Sequence, residues 1–121
     1  MSLLDFHEGW AWFVIFGNGA AGLWCLAALS LPRLSGRWLW LFVTLAQVGL
    51  VAQVVIGVFL VSADDRDAVE FHMFYGFIAV IAIGIIYSYR HQMMHRIHLL
   101  YGLGSFFVMG LAIRAMFIGT A

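Results

Sequence analysis

Two histidines in this chain have the neighbours and the spacing to do metal chemistry. His7 follows Asp5-Phe6 and His72 follows Glu70-Phe71, so an acid, a phenylalanine and a histidine occur twice, 65 residues apart, each time at the head of a long apolar run. Imidazole is a common metal ligand. Two imidazoles at one level of two helices can grip a metal macrocycle from both faces. Ligation from both sides leaves iron no open position, which suits electron transfer or haem storage better than oxygen chemistry. The expectation is that His7 and His72 are axial ligands of a b-type haem. Each ring would then donate its other N–H to a carboxylate or a backbone carbonyl, with Asp5, Glu8 and Glu70 near in sequence. The plainer alternative is two polar residues resting incidentally at a membrane interface.

The elements that must position these rings follow from composition. Of 121 residues, 64% are hydrophobic and 10% charged, with a mean hydropathy of +1.00; a water-soluble fold of this size would lack polar surface. Four apolar stretches, at about 9–31, 38–62, 71–89 and 97–119, each reach the roughly 20 residues that cross ~30 Å of hydrocarbon. The chain thus reads as one all-α transmembrane domain over 1–121, built from two related hairpins at about 5–62 and 70–120. The first stretch has no basic leader or small-residue cleavage pattern, so it is expected to be a retained span.

Arg33 and Arg37 precede the second stretch, and Arg90 and Arg96 precede the fourth, while Asp64, Asp65, Asp67 and a single Arg66 lie in the middle connection. The positive-inside rule then puts both termini outside the cytoplasm of a cell inner membrane, with Trp10 and Trp12 at the outer interface and Trp38 and Trp40 at the inner one. Zero net charge gives no sign of nucleic-acid binding, and the single Cys25 excludes an internal disulfide. No phosphate-cradling loop or nucleophile elbow is present. The apolar inner half offers no pathway for a transporter.

Short connections make consecutive helices antiparallel neighbours in an up-down-up-down bundle. The first and third helices then lie on a diagonal of about 11 to 14 Å, with His7 and His72 at the same depth. Helical spacing places Gly76, Val80 and Gly84 below His72, and Ala11, Asn18 and Gly22 below His7. It groups Gly49, Gln53 and Gly57 on the second helix and Phe107, Gly110 and Arg114 on the fourth. Arg114 stands about 10 Å by helical rise from the outer end, where it can face a haem propionate, snorkel to the interface or pair with Glu8. Gln53 can line the pocket, although helix-to-helix bonding is the ordinary role of Gln53, Gln47 and Asn18. His91, His95 and His98 have divalent-metal spacing, but the chain must turn within them, which favours a basic loop.

The segment Leu45-Ala46-Gln47-Val48-Gly49-Leu50-Val51-Ala52-Gln53-Val54-Val55-Ile56-Gly57, followed by a loop and His72, resembles one four-helix half of a haem A synthase. In that family a glutamine just before a glycine ends one helix, and a histidine follows about twenty residues later. The resemblance implies a haem-holding bundle with His7 and His72 as a ligand pair and Gln53 beside it. The chain has about half the family's length and lacks its paired outer-loop cysteines, and Asp5 stands where the family has a glutamate in a slightly longer spacing. Two copies as a homodimer would supply both halves, although a single bundle with one haem fits equally. The expected function is electron transfer or haem handling in the lipid bilayer, beside respiratory-complex subunits. The alternative is a cofactor-free accessory or assembly subunit of such a complex.

Overall fold

The computed structural model describes residues 2–63 and 70–120. Arg66 and its acidic neighbours Asp64, Asp65 and Asp67, on which part of the orientation argument rests, lie outside the described residues, as does the side chain of Glu70.

Four helices make the molecule: α1 (Leu3–Ser30), α2 (Arg37–Ala63), α3 (Glu70–Ser88) and α4 (Ile97–Thr120). All four are long and apolar enough to span a membrane, so the chain is a multi-pass membrane protein. The expected spans hold within a turn, except that α1 begins two turns early. A capping box is the reason. Ser2 Oγ accepts from the Asp5 N–H at 3.1 Å and Asp5 Oδ2 accepts from the Ser2 N–H at 3.2 Å, satisfying donors that would otherwise fray the first turn. His7 therefore sits inside a helix, and Asp5 serves the cap, not the imidazole.

Pro32 ends α1 and sets a short 3-10 turn over Pro32–Leu34. Gly36, at φ +143°, takes a backbone conformation that side chains disfavour and redirects the chain into α2. A second 3-10 turn at Met94–Arg96 leads into α4.

The packing order is a square. Helix α1 lies on α2 and α4, α3 lies on α4, and α2 and α3 share the thinnest of the four seams. Thus α1 and α3 oppose each other diagonally, as the short connections predict. Close backbone approach sets the α1–α4 seam: Gly22 faces the Gly102 carbonyl and the Phe106 ring, and Gly19 faces Met109. Cys25 of α1, Leu39 and Val43 of α2 and Val108 of α4 are fully buried in the centre of the bundle, with Asn18 and Ser105 buried as well. Asn18 Nδ2 donates to the Val14 carbonyl at 2.8 Å and to the Ala46 carbonyl of α2 at 3.3 Å. Large apolar side chains such as Phe13, Phe16, Leu23, Val55 and Ile81 point outward, which lipid tails accept without penalty.

Indoles clamp the bundle. Trp10 Nε1 donates to the Gly49 carbonyl at 2.9 Å, tying α1 to α2, and Trp24 Nε1 donates to the Leu34 carbonyl at 2.9 Å. Trp12 and Trp38 are instead largely exposed, at 54% and 66%, as interface anchors are. Trp10→Phe keeps an aromatic ring but deletes the Nε1–H bond and part of the packed indole, so it should lower stability by about 1 to 3 kcal/mol; denaturant unfolding in detergent micelles measures this.

Candidate functional site

The site lies at the end of the bundle where α1 and α3 begin and α2 and α4 finish. Here the helices part around a cavity of about 510 Å³, within the range that holds a cofactor-sized ligand. Its wall takes His7 and Ala11 from α1, Gln53 and Gly57 from α2, His72, Tyr75 and Gly76 from α3, and Ala112 and Ala115 from α4.

His7 and His72 both line this cavity and face each other across the diagonal. Their ring centroids are 6.2 Å apart and their planes cross at 81°. A metal held in line between two imidazole nitrogens, about 2 Å from each, requires ring centres about 6 Å apart once the distance from nitrogen to ring centre is added. The separation meets that requirement.

The support of the two rings differs. His72 Nδ1 donates to the Ala115 carbonyl of α4 at 2.6 Å. This fixes the tautomer and leaves the lone pair on Nε2, as a metal-ligating histidine requires. The expected backbone-carbonyl partner is thus present for His72. For His7, Nδ1 is buried without a hydrogen-bond partner, and the carboxylates suggested by sequence do not supply one: Asp5 is used in the cap and Glu8 is exposed at the cavity rim. The ring is instead placed by its backbone. Gln53 Nε2 donates to the His7 carbonyl at 2.6 Å, and Gly57 gives the imidazole room, since a Cβ there would lie 3.2 Å from His7 Cε1.

Gln53 joins both roles expected of it. Its amide nitrogen ties α2 to α1, while its buried Oε1 has no donor. A buried acceptor left unpaired is unfavourable by about 1 to 3 kcal/mol. His7 Nδ1 is likewise buried without a well-formed hydrogen bond, and the Gln53 amide is the side chain that interacts with the His7 ring. Gln53→Leu removes the α2–α1 tie at the His7 backbone and should lower stability by about 1 kcal/mol, as read by denaturant unfolding of the purified protein in micelles.

Arg114 is placed differently from its expected group. Helix α4 turns Ala112 and Ala115 to the cavity, so Phe107, Gly110 and Arg114 form an exposed face. The Arg114 guanidinium lies 6.0 Å from the ring centre of Tyr75, a cavity-lining residue, and so reaches the site only from outside. The lower parts of the other small-residue stripes also leave it: Asn18 and Gly22 pack in the core, and Gly84 faces open space. Ala11, Gln53, Gly57 and Gly76 remain at the wall. Tyr75, Glu8 and Met116 belong to it as well, although sequence spacing did not single them out as a pocket.

The second histidine cluster comes apart. The turn at 89–96 leaves His91 and His95 exposed, while His98 turns inward, with Nε2 2.7 Å from Ser35 Oγ and its ring on Trp40 at 5.3 Å. No group of three or more potential metal ligands occurs among the described residues. Comparison with protein-family models, curated proteins and solved structures returns no match to this chain.

Proposed function

We propose that this protein is a bis-histidine haem protein of the cell inner membrane, with both termini and the haem on the extracytoplasmic side, acting in electron transfer or haem handling. The observation that carries this reading is the His7–His72 pair, with ring centres 6.2 Å apart across the bundle diagonal. The cavity around the pair and the small residues Gly57 and Gly76 at its wall support it.

His7 and His72 would hold a b-type haem by its iron. When bound, that group supplies one-electron redox chemistry, with no coordination position left for oxygen. The chain's own residues do the positioning. Ala115 fixes the His72 tautomer, Gln53 holds the α1 backbone at His7, and Trp10 braces the same α1–α2 seam one turn further in. Apolar side chains such as Leu50, Val54 and Ala79 keep water from the inner part of the cavity, and a drier surrounding shifts a redox potential. Arg114, outside the wall beside Tyr75, is in reach of an anionic group leaving the cavity on that side.

Bis-histidine ligation is tested by adding haem to the purified protein and recording oxidised and reduced visible spectra. A sharp Soret band with the split low-spin bands of reduced six-coordinate haem is expected. A colourless protein that leaves added haem unchanged would instead support the reading as a cofactor-free subunit of a larger respiratory assembly.

A further inference from the structure

The four seams of the bundle are not built alike. Across α1–α2 run three hydrogen bonds, from Trp10 Nε1 to Gly49, from Asn18 Nδ2 to Ala46 and from Gln53 Nε2 to His7. Across α3–α4 runs the His72–Ala115 bond, and Gly104 brings the helices so close that a Cβ there would lie 2.5 Å from Ile86 Cδ1. The α1–α4 seam is the most extensive, closed by Gly22 against the Gly102 backbone. Between α2 and α3 the contact is thinnest, and no side-chain hydrogen bond joins them among the described residues.

The cavity extends into this same seam. Its wall there is Val54, Val58 and Val61 from α2 with Met73 and Phe77 from α3, all apolar, and Val58 and Phe77 are 39% and 44% exposed. Gly76 approaches Val54 only to ordinary contact, 3.7 Å from a Cβ at Gly76 to Val54 Cγ2. Parting α2 from α3 therefore breaks dispersion contacts alone, and lipid tails can replace those contacts because they are as apolar as the side chains they displace. Parting any of the other seams would break buried hydrogen bonds or separate closely fitted backbones.

We propose that the α2–α3 seam is a lateral portal through which the cavity exchanges its tetrapyrrole directly with the bilayer. This rests on the haem reading above and extends it: a molecule loaded from lipid can also be returned to lipid or passed to a neighbouring membrane protein docked on the α2–α3 face. It makes the protein a membrane haem carrier as well as a haem binder.

The test uses the full chain in nanodiscs, with Val54→Cys and Gly76→Cys combined and Cys25→Ser added to remove the native thiol. Haemin is supplied already dissolved in donor vesicles, and uptake is followed by the Soret shift for the same preparation oxidised and reduced. The reduced form is freed of reductant and its two thiols are methylated before haemin is added, so that the forms differ in the α2–α3 tether and not in free thiols or reductant. The expected result is uptake slowed at least tenfold in the disulfide form relative to the reduced and methylated form, with haem loaded beforehand released equally slowly. Equal rates in the two forms, with the disulfide verified by mass, would overturn the portal while leaving the haem site standing. No Soret shift in either form or in the unsubstituted protein would remove the haem reading and the portal together. An independent check uses the unsubstituted protein: uptake should rise with the haemin content of the donor bilayer at constant aqueous haemin, and dependence on the aqueous concentration alone would contradict lateral exchange.

Discussion

With His7 and His72 as the proposed axial ligands, alanine at His72 should abolish the six-coordinate spectrum expected on haem addition and lower haem affinity by more than about 100-fold, because even partners that only orient a ligand are worth about 10- to 100-fold. The variant leaves one imidazole, so whatever haem is retained becomes five-coordinate and high-spin. His7→Ala should give the same spectral change, since the two ring centres lie 6.2 Å apart across the cavity. The two variants should separate in a second way. His72→Ala also frees the Ala115 carbonyl, the one side-chain hydrogen bond between α3 and α4 among the described residues, whereas His7→Ala leaves the Gln53 bond intact because that bond ends on the His7 backbone. His72→Ala should therefore be the less stable apoprotein, by about 1 kcal/mol. His91→Ala and His95→Ala, both exposed at the far end of the bundle, serve as controls and should leave the spectrum unchanged. Haem titration and denaturant unfolding of the five proteins measure both effects.

Gly22→Val disrupts the bundle itself. A Cβ at Gly22 would lie 3.0 Å from the Gly102 carbonyl oxygen and 3.0 Å from the Phe106 ring, and a backbone oxygen cannot rotate aside as a flexible side chain can. Overpacking of this kind is unfavourable by about 1 to 3 kcal/mol, and here it falls on the most extensive seam. Gly84→Ala and Gly110→Ala should act in the opposite direction: a Cβ at either position meets nothing within 4 Å, and helical Gly→Ala substitutions stabilise by about 0.5 to 1 kcal/mol. If all three variants shifted stability alike, glycine would act only through backbone entropy and the close α1–α4 approach would be refuted.

Much of this arrangement was legible in the sequence because short connections leave few topologies. Four apolar runs joined by tight turns put α1 and α3 on a diagonal, and the repeated acid-Phe-His start puts His7 and His72 at one end of it. The early start of α1 was also written in Ser2 and Asp5, whose spacing is that of a capping box, although hydropathy alone does not register it. Which face of α4 points inward was not legible. In water an inward face is marked by its apolar stripe, but in lipid Phe107 on the outside and Val108 in the core are equally apolar, so the usual contrast vanishes. Small and polar residues were the better guide there: Ser105, Ala112 and Ala115 mark the packed face, and the stripe drawn through Gly110 and Arg114 is the outer one. The His72–Ala115 bond was anticipated only as a class of partner, since no sequence feature identifies which carbonyl of an antiparallel helix will lie opposite a ring.

Low-temperature electron paramagnetic resonance of the haem-loaded ferric protein tests the central claim most directly, because it reports both axial ligands and the angle between them. Rings held near the observed 81° predict a low-spin signal of the strongly anisotropic kind given by crossed imidazole planes, lost in His7→Ala and His72→Ala alike. A high-spin signal from the unsubstituted protein, or a low-spin signal that survives either substitution, would contradict it.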